Sequence, residues 1–210
     1  MSGSAAWRLV IASAVIAAGT LLSVTVVPRQ GHGARIRAEE HEATRTIRGA
    51  TCGVERWPVK TLSDPEARQV DFRAHPATVR YLGSLPSNPG GEDSRTQFER
   101  RAFGVQARLV GVKRELDSDY HLILSEGGAT MIAEMPLAAC TAPAAPHRRA
   151  MTLARAALER AVGGPVGDFW IHPNLRVHLL GVLFFDFPHG QSGHARNYAE
   201  LHPVIGFRVG

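Results

Sequence analysis

Residues 98–135 read FERRAFGVQARLVGVKRELDSDYHLILSEGGATMIAEM, and this stretch decides the fold. Apolar and polar residues alternate in three runs, 98–115, 120–125 and 130–135, which predicts three strands. The turn-forming sequences LDSD and EGGA separate the runs, so consecutive strands are expected to pair as a meander. The sequence on either side of this meander determines how it is completed into a domain.

Two glycines, Gly104 and Gly111, interrupt the long first run. Glycine inside a strand commonly marks a bulge or a tight barrel bend. We therefore expect the first strand to bend and to serve two sheets.

A helix and two further strands follow the meander. Apolar residues recur at helical spacing in 146–162, with Arg155 and Glu159 on the opposite side, which predicts an amphipathic helix. Strands are predicted at 177–187 and 198–209. The resulting order, with one helix between strands three and four, is that of an OB-fold, a five-stranded Greek-key barrel. The predicted class is a β-rich α+β domain with an OB-fold-like barrel; a generic α+β sandwich is the alternative.

The segment 9–27, LVIASAVIAAGTLLSVTVV, contains no charge. Roughly 20 apolar residues span a bilayer, whereas the apolar region of a secretory signal runs about 7–15 residues. The segment therefore predicts a membrane helix that is retained as an anchor or removed as a signal peptide, with the remainder secreted or membrane-anchored on the extracytoplasmic side. The expected organisation is a signal peptide or anchor at 1–28, a polar linker at 29–51 and an OB-like domain at 52–210.

The chain has two cysteines, Cys52 and Cys140. An even count in an exported chain predicts one disulfide bond, here between the lead-in segment and the end of strand three.

We expect a lead-in or edge strand at 54–61. Residues 62–97 are rich in proline and glycine and predict mostly loop, with one helical turn at 77–82.

The composition excludes several classes of protein. The chain has 210 residues, of which 44% are hydrophobic and 20% charged, which argues against a disordered or collagen-like polymer. The net charge of +5 permits a polyanionic partner without requiring one. The sequence contains no G-x-S-x-G, P-loop or G-x-G-x-x-G motif.

Four segments resemble a family of exported bacterial proteins of uncharacterised activity that contain an OB-like barrel. They are CGVERWPVKTLSD at 52–64, DSDYHLILS at 117–125, TMIAEMP at 130–136 and FFDFPHGQSGHARNYAELHPV at 184–204. The resemblance covers roughly 52–209. It implies export and a barrel fold, and it implies no activity.

Strand alternation places a polar set on one face of the barrel, opposite the core. In the second strand Tyr120 and Leu122 suit the core, and in the last strand Leu201 and Ile205 do, which leaves Val204 on the other face. The polar set on that other face consists of Asp119, His121, Glu134, Glu200 and His202.

The loop 188–197 is predicted to join the last two strands next to this face. OB-folds bind ligands across strands two and three and between the loops that join strands one to two and four to five. The ligand-binding candidates are therefore Asp119, His121, Glu134, His189, Gln191, Asn197, Glu200 and His202.

Histidines beside carboxylates also suggest a metal-dependent, nuclease-like hydrolase, with His121, His189 and His202 as the zinc ligands. No H-E-x-x-H or H-x-H spacing supports it, so no cofactor is predicted and no catalytic residue is assigned. Structural hydrogen bonding that fixes the loop 188–197 to the barrel is the competing interpretation.

Single-stranded nucleic acid binding is a further alternative, because basic residues follow the first strand and aromatic residues are near them. These residues are Arg100, Arg101, Arg108, Lys113 and Arg114, with Trp170, Phe103 or Tyr198. The basic residues alternate between two faces, which favours a protein or a cell-envelope glycan as partner. The sequence thus predicts an exported or membrane-tethered binding module of the cell envelope, without identifying its ligand.

Overall fold

The structure is a computed structural model that describes residues 43–188 and 190–210. The predicted membrane segment at 9–27 and most of the predicted linker lie outside these residues. Among the helices of the described part, none combines the length and the apolar character that a membrane span needs.

The described chain begins with a hairpin of two short strands. β1 (Thr44–Ile47) and β2 (Ala50–Gly53) pair antiparallel. This hairpin lies partly inside the segment 29–51 that was predicted as a polar linker.

A short helix, α1 (Trp57–Lys60), follows the hairpin. The prediction of an edge strand at 54–61 is therefore wrong. Pro58 lies in the first turn of α1, where its missing N–H leaves no hydrogen bond unmade. The helix packs against the domain through three buried side chains, those of Trp57, Val59 and Lys60.

Two elements precede the barrel. β3 (Asp71–Ala77) pairs parallel with the first barrel strand, and the sequence did not predict it. α2 (Val79–Leu82) is the helical turn predicted at 77–82, and the Thr78 side chain caps it by accepting from the N–H of Tyr81.

The centre of the molecule is a closed five-stranded mixed barrel. Its elements are β4 (Arg101–Arg114), β5 (Tyr120–Glu126), β6 (Ala129–Met135), α3 (Arg148–Val162), β7 (Leu175–Phe185) and β8 (Ala199–Val209). The strands are adjacent in the order β4–β5–β6–β8–β7, and β7 pairs with β4 to close the barrel. The β6–β8 pairing is parallel and the other barrel pairings are antiparallel. This order, with α3 between the third and fourth barrel strands, is the predicted one and is consistent with an OB-like barrel.

Within the barrel, the first strand pairs with two neighbours along different parts of its length. Residues 102–109 of β4 pair with β7, and residues 108–114 pair with β5. The β4–β5 register shifts between Leu109 and Gly111, which confirms an irregularity at the second glycine. A Cβ atom at Gly111 would lie 3.2 Å from the Trp170 ring, so the glycine also makes room for that side chain.

The barrel core contains the inward positions of β5 and β6 that alternation predicted, including Tyr120 and Leu122. In β8 the prediction is wrong after Leu201. Val204 joins the barrel core, whereas Ile205 belongs to a second cluster with Val182. The β7–β8 register shifts on both sides of Gly181, and this shift breaks the simple alternation.

The helix α3 has the predicted amphipathic pattern and ends at Gly163, which has φ of 90°. Its prediction needs one correction, because Arg155 is buried rather than solvent-facing. The Arg155 guanidinium lies 3.3 Å from the centre of the Tyr120 ring and donates to the Met135 carbonyl at 2.6 Å.

The predicted disulfide bond is confirmed. Cys52 in β2 and Cys140, just after β6, are bonded, with their Cα atoms 5.5 Å apart. The bond joins the N-terminal hairpin to the barrel, and Trp57 packs beside it.

Candidate functional site

Four of the predicted site residues meet in the structure. Asp119 ends the β4–β5 turn, His121 lies in β5, and Glu134 is its cross-strand partner in β6. Because β8 runs parallel to β6, it brings His202 next to Glu134. Strand alternation therefore predicted this convergence correctly.

The imidazole of His202 lies between two carboxylates. Its Nε2 is 3.2 Å from Asp119 Oδ2, and its Nδ1 is 3.0 Å from Glu134 Oε2. The other Glu134 oxygen, Oε1, lies 3.3 Å from His121 Nδ1.

The row of charges continues towards the end of β4. His121 Nδ1 is also 3.2 Å from Glu115 Oε1, and Lys113 Nζ is 3.2 Å from Glu115 Oε2. The Nε2–H of His121 donates to the Ser192 carbonyl at 3.0 Å, which ties the loop after β7 to this face. We call the alternating row the buried charge chain; it consists of Asp119, His202, Glu134, His121, Glu115 and Lys113.

The face is buried, although it was predicted to be a ligand surface. Asp119 and His202 are 0% exposed, His121 is 1% exposed and Glu134 is 4% exposed. The ring of Trp170 meets His121 edge-on at 5.3 Å. Alternation gave the right grouping but not the exposure, because it does not say whether another segment covers a face.

The N-terminal segment supplies part of that cover. The ring of Phe184 lies 5.8 Å from the ring of His202. The guanidinium of Arg56 lies 4.6 Å from the centre of the same Phe184 ring. Arg56 is itself buried and pairs with Glu99 at 2.7 Å. Arg56, the residue before α1, therefore brings a paired charge to this side of the barrel.

The charge chain shifts the pKa values of its members. Burial alone lowers the pKa of His202, but the Asp119 and Glu134 carboxylates outweigh burial and raise it to about 9. Burial also lowers the pKa of His121, but the Glu115 and Glu134 carboxylates outweigh burial and raise this pKa to about 9. Burial raises the pKa of Glu134, and the two imidazoles reverse this and hold it well below the usual range. At a pKa of about 9 each imidazole carries a proton at neutral pH, so the row alternates in charge.

The remaining predicted residues have different positions. Glu200 is buried in β8, opposite Phe184 of β7. Gln191 is half-buried in the loop after β7, and His189 lies outside the described residues.

Asn197 fixes the loop to the segment after β3. Its Nδ2 donates to the carbonyls of Leu82 and Leu85, each at 2.9 Å, and its Oδ1 accepts from the N–H of Ala199 at 3.1 Å. These hydrogen bonds give Asn197 a structural role, and the residue also lines an open pocket beside α2.

Most of the basic residues of β4 and its approach contact acceptors of the protein itself. The contacts are Arg100 with Glu66, Arg108 with Asn174, Lys113 with Glu115 and Arg114 with Asp168. These pairings reduce the positive charge that β4 offers to a nucleic acid.

An open pocket of about 730 Å³ lies where α2, the β5–β6 turn and the loop after β7 meet. Three basic side chains, Arg80, His194 and Arg196, line it, and none of its described lining residues is acidic. We call it the basic pocket. The His194 ring stacks on Tyr198 with ring centres 4.7 Å apart, which orders one wall.

A second pocket, of about 740 Å³, lies on the other side of α2. Tyr81, whose side chain is 50% exposed, and Phe103 contribute aromatic surface to it. Val79 and Arg80 of α2 line the basic pocket, whereas Tyr81 lines the second one. The short helix therefore forms the ridge between the two.

Arg80 was missed at the sequence level. It lies in the helical turn predicted at 77–82, and only the chain path shows that this turn, α2, lies beside the loop containing Arg196. The buried pair between Arg95 and Asp64, at 2.6 Å, was also missed, because nothing in the spacing of these residues signals their contact.

Within the described residues, one group has the composition of a metal site. Asp119, Glu134 and His202 each offer one ligand atom, and these atoms lie within 4.8 Å of one another. His121, a predicted zinc ligand, contacts this group through Glu134 without belonging to it.

Comparison with protein-family models and with curated proteins gives no match. A solved structure described as an aspartyl-tRNA synthetase from Leishmania major Friedlin has a TM-score of 0.38 and 11% identity to this chain. The match covers 67% of this chain and 21% of that one. This likeness is too distant to show a fold or an activity. The class of this protein is the five-stranded mixed barrel described above.

Proposed function

We propose that this chain is an extracytoplasmic binding module that binds an anionic glycan of the cell envelope in the basic pocket. The observation that carries the proposal is the open pocket with two arginines, one histidine and no acidic residue among its described lining residues. The disulfide bond suits an oxidising compartment, and the apolar segment at 9–27 suits export or tethering.

The pocket has the chemistry to hold a carboxylate or a phosphate. The guanidinium groups of Arg80 and Arg196 match the planar, two-point geometry of these anions. Arg80 also donates to the Gly127 carbonyl at 2.8 Å, which holds its side chain over the β5–β6 turn. Ser84 and Thr130 line the same pocket and offer hydroxyl groups for the hydroxyls of a sugar.

An extended glycan suits the surface better than a single small anion. The half-exposed ring of Tyr81 stands between the two pockets, and an aromatic ring can pack against the apolar face of a sugar. A polymer that crosses α2 would contact both pockets.

The two alternative functions have less support. A hydrolase at the centre of the charge chain needs a substrate to reach Asp119, Glu134 and His202, which are at most 4% exposed. A nucleic acid along β4 needs basic groups that instead contact acidic or carbonyl oxygens of this protein.

Calorimetric titration with oligogalacturonate, which carries carboxylates, and with a phosphorylated malto-oligosaccharide tests the proposal. We expect at least one of them to bind, with affinity that falls as salt rises, and neutral maltohexaose not to bind. The double variant Arg80→Gln/Arg196→Gln should weaken binding by about tenfold or more.

The matched control is Arg160→Gln, which removes an exposed arginine of α3 outside both pockets. Its affinity should equal that of the wild type. The proposal is overturned if neither anionic probe binds, if the neutral glycan binds equally well, or if an oligo-dT strand binds more tightly than both.

A further inference from the structure

Hydrogen bonding does not satisfy the centre of the buried charge chain. Both ring nitrogens of His202 lie close to carboxylate oxygens, yet neither makes an aligned hydrogen bond. Neither carboxylate oxygen of Asp119 has a hydrogen-bond partner, and both residues are 0% exposed. Buried polar groups almost always have partners, so this arrangement calls for a further group between them.

The spacing is that of metal ligands. Zinc bonds to nitrogen and oxygen are about 2.0–2.2 Å, so two ligand atoms on one tetrahedral ion lie roughly 3.3 Å apart. The contact between His202 Nε2 and Asp119 Oδ2 is 3.2 Å, which fits two ligands of one ion. Glu134 Oε2 lies 3.0 Å from the other ring nitrogen, Nδ1, so this second contact does not face the same ion, and Glu134 joins the site only through the 4.8 Å within which one ligand atom from each of the three residues lies. An ion on the axis of one ring nitrogen accounts for one short contact without hydrogen-bond alignment.

We propose that Asp119, Glu134 and His202 form a buried binding site for one divalent transition-metal ion, of which zinc is the first to test. Two carboxylates and one imidazole are donors that zinc accepts. The ligand atoms lie within 4.8 Å of one another, so small side-chain rotations bring them to one ion.

His121 would support this site without binding the ion. It lies 3.3 Å from the Glu134 oxygen that does not face His202, a position from which it can orient the ligating carboxylate. Because the three ligands are at most 4% exposed, the ion would stabilise the fold and would not meet a substrate. The inference is independent of the glycan proposal.

Metal analysis of the untagged chain, purified from zinc-supplemented medium and dialysed, tests the site. We expect about one zinc per chain, and a Tm that rises by about 5–10 °C when zinc is about a hundredfold above its Kd. Asp119→Asn and His202→Gln should each lower the zinc content at least about tenfold. His178→Gln, which changes a partly exposed histidine of β7, should leave the zinc content unchanged.

The inference is overturned if the wild type retains less than about one zinc per ten chains and zinc does not change its Tm. The buried charge chain would then be held together by the protons on its two imidazoles. If His202→Gln does not fold, the zinc content and Tm shift of the wild type still decide the question.

Discussion

The buried charge chain and the basic pocket are both polar, and both involve β5, β6 and the loop after β7, but they differ in access to solvent. His202 is 0% exposed, whereas Arg196 lies on an exposed part of the loop. A charge inside the protein needs a partner there, and removing one partner leaves the other uncompensated. An exposed arginine in an open pocket can exchange water for a ligand. We infer from this difference that the polar strand face stabilises the fold, and the proposed function assigns ligand binding to the loop and α2.

The largest effect on stability is expected in the buried charge chain, at His202. His202→Gln removes the imidazole that lies between Asp119 and Glu134 and leaves two buried carboxylates without it, so the free energy of unfolding should fall by about 3–5 kcal/mol. Urea denaturation followed by circular dichroism measures it. His178→Gln, the partly exposed control, should change it by about 0.5 kcal/mol or less. A loss below about 1 kcal/mol for His202→Gln would mean that the chain contributes little to stability.

The next effect concerns the cover of the charge chain. Replacing Cys52 and Cys140 together by serine should lower the free energy of unfolding by about 2–5 kcal/mol, because the open chain gains entropy on unfolding. Since the bond anchors the hairpin and not the basic pocket, glycan affinity should stay within about twofold at a temperature where the variant is folded. Thermal denaturation and calorimetric titration give the two quantities. A large loss of affinity would connect the two regions that we separate.

Asn197 fixes the loop after β7 to the segment around α2. This loop contacts His121 of the charge chain and carries Arg196 of the basic pocket, so Asn197 concerns both regions. Asn197→Ala removes two donated hydrogen bonds and one accepted bond, so we expect a loss of about 1–3 kcal/mol in stability and a weaker glycan affinity. The effect on affinity arises because the loop carrying Arg196 loses its attachment. Unchanged stability and affinity together would show that the loop is held by other contacts.

The smallest effect is expected at the ridge between the pockets. Tyr81→Ala removes a half-exposed ring, so stability should change by about 0.5 kcal/mol or less. Affinity for a long oligogalacturonate should fall a few-fold, and affinity for a dimer of the same sugar should not change. Equal effects on both lengths would argue against a ligand that crosses α2.

Alternation and turn sequences were enough to predict the barrel. The bulge at Gly111 and the end of α3 at Gly163 follow from local backbone requirements that single residues impose. Local rules failed where distant segments meet. Val204 faces the barrel core, and not the opposite face as predicted, because the β7–β8 register shifts. Lys60 is buried in a helix where a strand was expected.

The candidate site shows the same division. Alternation brought Asp119, His121, Glu134 and His202 together, because cross-strand neighbours are determined by register. It could not show that Arg56 and its neighbours cover that side of the barrel, since this depends on how the N-terminal segment packs. Nor could it pair Arg80 with a loop more than a hundred residues later in the chain.

The separation of stability from binding is tested most directly by measuring Tm and oligogalacturonate affinity on two variants side by side. For His202→Gln we predict a Tm lower by at least about 6 °C and, in the folded protein at low temperature, an affinity within about twofold of the wild type. For Arg80→Gln/Arg196→Gln we predict a Tm within about 2 °C and an affinity weaker by about tenfold or more. A His202→Gln protein with an unchanged Tm and a tenfold weaker affinity would contradict this account.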